Sequence, residues 1–114
     1  MPRNTYENIW EFRTKQFAVV YSVCPEEDLD LSWDEDGETA RGLEDGRYLA
    51  FVARIEVIHM ESGIVLGSDH LGDCVYESVQ AFRCSSIYFA DMVRSAIDEA
   101  RKNAASFPWL RKAA

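Results

Sequence analysis

The stretch that most limits how this chain can fold runs from Arg47 to Met60, RYLAFVARIEVIHM. Leu49, Phe51, Ala53, Ile55 and Val57 take every second position, and Arg54 and Glu56 mark the positions between them. Alternation at a period of two predicts an extended strand with one apolar face, the longest strand of the chain. Glu61, Ser62 and Gly63 then make a short hairpin connection, Gly63 supplying a positive φ, and Ile64 to about Leu71 returns as the partner strand. Gly67 and Gly72 in and after that return point to a bulge or a close backbone approach. Gln16 to Cys24 repeats the alternation, with Phe17, Val19, Tyr21 and Val23 on one face and Ala18, Val20 and Ser22 on the other. Pro25 cannot donate to a ladder and stops that strand. Residues 1–15, with Tyr6, Ile9, Trp10 and Phe12 among polar neighbours, fit an edge strand or an irregular arm.

A sheet with an apolar face needs a cover, and the chain offers one strong helix for it. Phe89, Val93, Ala96, Ile97, Ala100 and Ala104 recur at steps of three and four between Ile87 and about Ala105. Ser85 and Ser86 are ready N-cap residues, Arg101 and Lys102 complement the helix dipole in the last turn, and Pro108 bars continuation. On the outer face Arg94 and Asp98, and Asp98 and Lys102, stand at i,i+4. The expectation is one α+β domain over residues 1–114, in two layers. An antiparallel sheet of about three to four strands would be covered by the long C-terminal helix.

Charge is concentrated in one place. Residues 26–45, EEDLDLSWDEDGETARGLED, hold 10 of the 20 acidic residues and one offsetting Arg41, so they carry nine net negative charges against a formal total of −8. Leu29, Leu31 and Trp33 alternate with Asp30 and Ser32, which reads as a short edge strand with carboxylates facing water. Glu38 to Asp45 reads as one or two helical turns, with Gly37 at the start, Gly46 just past the end and Gly42 weakening the middle. Such a density of carboxylates attracts a basic surface over ~8 Å at physiological salt. The alternative is a solvated loop that keeps a small protein soluble. Trp33, ringed by charge, suits an apolar anchor at an interface, or else a core ring pinning the loop.

Several function classes are disfavoured. A net charge of −8 lacks the basic footprint that direct nucleic-acid binding needs. No apolar run approaches the roughly 20 residues of a membrane span, and MPRNTYENIW has no signal-peptide apolar core. Three cysteines, Cys24, Cys74 and Cys84, leave one odd, which predicts reduced thiols and a cytoplasmic chain. Asp34, Asp36 and Gly37 match positions 3, 5 and 6 of an EF-hand loop, but Ser32 falls at position 1 and Leu43 at position 12, so the calcium motif fails. Asp69, His70, Asp73 and Cys74, with His59 and Cys84 in folding reach, have the donor types for zinc without its spacing. A Cys74–His70 pair has the chemistry of a thiolate nucleophile with its base. No phosphate loop, G-x-S-x-G elbow or H-E-x-x-H helix is present, and neither a catalytic residue nor a cofactor is expected.

The runs LGSDHLGDCVYES and YFADMVRSAIDEARK, at residues 66–78 and 88–102, resemble a group of small uncharacterised proteins carried by phages and plasmids. That resemblance implies a mobile-element accessory protein, similar in kind to the anti-CRISPR inhibitors, which are short, often acidic and act by binding. The expected function is therefore a non-enzymatic inhibitor that covers the basic surface of a nucleic-acid-handling protein, its carboxylates standing where phosphates would. Asp28, Asp30, Trp33, Asp34, Glu35, Asp36, Glu38, Glu44 and Asp45 are the expected partner-binding residues. The alternatives are a small thiol- or metal-dependent enzyme centred on His70 and Cys74, and a homo-oligomeric structural protein using Phe107, Trp109 and Leu110.

Overall fold

A computed structural model describes residues 5–107. Four strands, β1 (Glu7–Arg13), β2 (Phe17–Pro25), β3 (Leu49–His59) and β4 (Val65–Tyr76), form one antiparallel sheet in the order β1-β2-β3-β4. Helices α1 (Glu38–Glu44), α2 (Val79–Ser85) and α3 (Ile87–Ala104) complete the α+β fold. The expected sheet and long C-terminal helix are present, and Glu7–Arg13 supplies the edge strand β1.

The alternation in the sequence is the alternation in space. Phe51, Ala53, Ile55, Val57 and His59 of β3 are buried beneath the helices, and Arg54 and Glu56 lie on the opposite face. Across β2, Val19, Tyr21 and Val23 share the covered face by pairing with Val57, Ile55 and Ala53. The turn after β3 forms as expected, with Gly63 at φ 75° and its N–H donating to His59 O at 2.7 Å. His59 is itself buried at the strand end, its Nδ1 2.8 Å from Ser62 Oγ.

Two elements differ from expectation. β4 runs on past Leu71 to Tyr76, its ladder with β3 shifting register between Phe51 and Ala53 and carrying Asp73 at φ 54°. Residues 79–85 form α2, capped by Ser78, whose side chain accepts from Ala81 N. This short helix delivers Phe82, fully buried, whose ring lies 5.2–6.2 Å from those of Tyr76, Phe51, Tyr21 and Phe89. The hydroxyl of Tyr21 satisfies itself on Val79 O at 2.8 Å, so the buried ring leaves no orphan donor.

α3 is capped by Ser86, which accepts from Tyr88 N, and it docks chiefly on β4. The docking depends on Gly67: a Cβ there would lie 2.0 Å from Ala96 O and 2.7 Å from Ala100 N. The expected close backbone approach is thus the helix lying directly on the strand. Met92, Ala96 and Ala100 are the buried stripe, while Phe89, Val93 and Ile97 are half-buried on its flank. The outer ion pairs form at i,i+3, Arg94 with Asp91 and Arg101 with Asp98, instead of at i,i+4. Phe107 packs against the core, whereas Trp109 and Leu110 lie outside the described residues.

Candidate protein-binding surface

The acidic segment leaves the sheet at Pro25 and returns to it at Leu49, so it forms the lobe at one end of β2 and β3. The expected strand over Leu29–Trp33 is absent: Leu29 to Leu31 are irregular, and Ser32 and Trp33 form a turn. The cause is local competition by side chains. Asp30 Oδ1 accepts from Ser32 N at 2.9 Å, which satisfies a backbone donor that a ladder would have used. Leu29 and Leu31 are half-buried, but Trp33 is 58% exposed, so it is not a core ring.

α1 forms where the two glycines bracket it, Gly37 at φ 72° and Gly46 at φ 84°. Gly37 has no side chain to cap the helix, and Asp34 does the capping from three residues upstream. Its carboxylate accepts from Ala40 N at 3.0 Å and from Thr39 N at 3.3 Å. Those N–H donors, that of Ala40 first, hold the Asp34 carboxyl below the usual range. Asp36 accepts from Glu38 N at 3.0 Å. The N–H of Ser32 lowers Asp30, and Asp45, taking the backbone N–H and guanidinium of Arg47, is lowered chiefly by that N–H. Gly42 is the close-contact glycine of this lobe, since a Cβ would fall 2.1 Å from the Tyr48 ring.

The nine expected contact residues therefore divide. Asp30, Asp34, Asp36 and Asp45 fold the segment, while Asp28, Glu35, Glu38 and Glu44 are exposed carboxylates. Trp33, Glu35, Glu38 and Tyr48 line one open groove. Tyr48 was not among the expected residues; the only signal for it is an aromatic six positions after a glycine inside a helix.

The alternative centre does not assemble. His70 stands opposite Arg54 and is exposed, whereas Cys74 stands opposite Phe51 in the core, so the two point to opposite faces of β4. Burial pushes the Cys74 thiol up to about 11, away from a thiolate at neutral pH. Its Sγ lies 3.3 Å from Leu71 O. Among the described residues no three His, Cys, Asp or Glu side chains gather as metal ligands. Cys24 is buried and Cys84 exposed, and neither is bridged. No described helix is long and apolar enough to cross a membrane.

Comparisons of the chain with protein-family models, with curated proteins and with solved structures return no match.

Proposed function

We propose that this chain is a small acidic binding protein whose segment 26–45 docks on the basic surface of a nucleic-acid-handling protein. The observation that carries the reading is Trp33, 58% exposed amid carboxylates and beside Tyr48. A Trp ringed by polar groups is a favoured interface anchor. The exposed Trp33 ring with Glu35 and Glu38 beside it suits a guanidinium or ammonium group, through cation–π attraction and charge-assisted hydrogen bonds. The inhibitor role of mobile-element proteins joins this reading through the sequence resemblance. The residues that carry that resemblance include Gly67 and Cys74, which serve helix–sheet packing, so the role rests on the acidic lobe.

The test reverses only carboxylates that do not fold the lobe. Asp28→Lys, Glu35→Lys, Glu38→Lys and Glu44→Lys together should leave the melting temperature near wild type. Capture of a basic partner from a lysate of cells that handle foreign DNA should fail for this variant, and wild-type capture should weaken steeply with salt. Trp33→Ala should weaken capture while retaining its salt dependence. Undiminished capture by the charge-reversed protein would remove the acidic lobe from the interface.

A further inference from the structure

We propose that the chain pairs with a second copy of itself through the free edge of β1, about a two-fold axis at Phe12. Among the described residues the sheet order leaves two open edges, β1 and β4. β4 is irregular, with two register shifts and Asp73 at positive φ, features that discourage pairing. β1 shifts register only between Asn8 and Trp10 and runs regularly from Trp10 to Arg13.

The backbone fixes which residues face outward. Thr14 N donates to Phe17 O at 2.8 Å, so the Thr14 backbone faces β2. Antiparallel ladders alternate, so Phe12 also faces β2, and the N–H and C=O groups of Glu11 and Arg13 face the empty edge. A two-fold centred on Phe12 sets Glu11 against Arg13 of the second copy, and Arg13 against its Glu11. Both are hydrogen-bonded positions, giving about four backbone bonds in all. Glu11 and Arg13 also share a face, opposite Val20 and Ala18, and within one chain they already form an ion pair. Neighbouring centres fail: an axis at Glu11 or Arg13 opposes like charges, and an axis between residues opposes side chains from different faces.

Phe12 supplies the apolar contact. It is 55% exposed, and at a non-hydrogen-bonded centre the two copies' Cα atoms stand ~4.5 Å apart, so the rings meet. α3 lies over β4 and β3, leaving an apolar groove of about 500 Å³ lined by Trp10, Phe12, Phe17, Val93 and Ile97. The second copy's β1 would extend the floor of that groove and close its open side. The net charge of −8 does not oppose the pairing. Phe12 pairs with Val19, and the acidic lobe begins six residues further on, after Pro25, roughly 20 Å away at ~3.3 Å per residue. The antiparallel axis sends the two lobes to opposite ends, well beyond the ~8 Å screening length.

Light scattering across a concentration series tests the pairing on the full chain. Wild type should approach twice the 13.0 kDa of one chain as concentration rises. Phe12→Glu, Glu11→Arg and Arg13→Glu should each stay folded by circular dichroism and run as monomers. The double variant Glu11→Arg/Arg13→Glu restores both cross-pairs and should dimerise again. A wild type that stays at 13.0 kDa throughout overturns the proposal. So does a dimer that survives Phe12→Glu, or a double variant that remains monomeric while folded.

Discussion

The helix-covered half of the sheet and the acidic lobe are held together by different physics. Under α2 and α3 the contacts are between apolar groups, and the ones that tie helix to sheet are distant in sequence: Phe82 against Tyr21 and Phe51, and Ala96 and Ala100 seated on Gly67. In the lobe most side-chain hydrogen bonds span two to six residues, carboxylate to backbone N–H, with the Tyr48 ring close over Gly42 and Glu26 reaching Asp73 N on β4 at 3.4 Å. The first kind of contact resists change in volume, the second resists change in hydrogen bonding or protonation. A chain built this way can carry nine net negative charges in twenty residues because little of that segment's structure depends on burying them.

The largest effect should come from Phe82→Ala. Removing a fully buried ring from the centre of an aromatic cluster should cost about 3–5 kcal/mol, read as a lower denaturant midpoint with unchanged slope. A loss no larger than that of an exposed substitution would show that α2 is not part of the cooperative core. Gly67→Ala should follow, at roughly 1–3 kcal/mol, because its Cβ meets helix backbone that cannot swing aside. A neutral result there would mean that α3 rides higher on the sheet than described.

The smallest effect should be that of Asp34→Asn, and its dependence on pH separates the two regions. Hydrogen bonding to Ala40 and Thr39 lowers the Asp34 carboxyl in the folded chain, so the unfolded chain binds that proton more readily. The stabilisation is then fully present above the ordinary aspartate value of about 3.9 and fades as pH falls through the lowered folded value. Wild type and Asp34→Asn should differ by a constant melting-temperature offset near neutrality, and the curves should converge in acid. Phe82→Ala should show no such convergence before acid unfolding. A constant offset down to the lowest accessible pH would assign the Asp34 contribution to something other than its charge.

Period-two alternation placed β2 and β3, and with Gly63 the hairpin after β3, because a strand with one buried face must repeat at that period to bury anything. Period 3.6 and Ser86 placed α3 for the same kind of reason, and Gly67 was legible as a site of close backbone approach. Local turn chemistry also bracketed α1 between Gly37 and Gly46. What alternation misled was Leu29–Trp33, where Asp30 and Asp34 draw the backbone into turns that no periodicity reports.

Tertiary structure alone decided the rest. α2 is too short to show a period, and its place depends on a pocket for Phe82 built by three strands and α3. Whether His70 and Cys74 meet turned on which face of β4 each occupies after its register shift, and whether Trp33 is core or surface turned on the turn that replaces the expected strand. A residue's chemistry is written in the sequence, but its neighbours across the sheet are set by pairing, and one shifted residue sends a side chain to the opposite face.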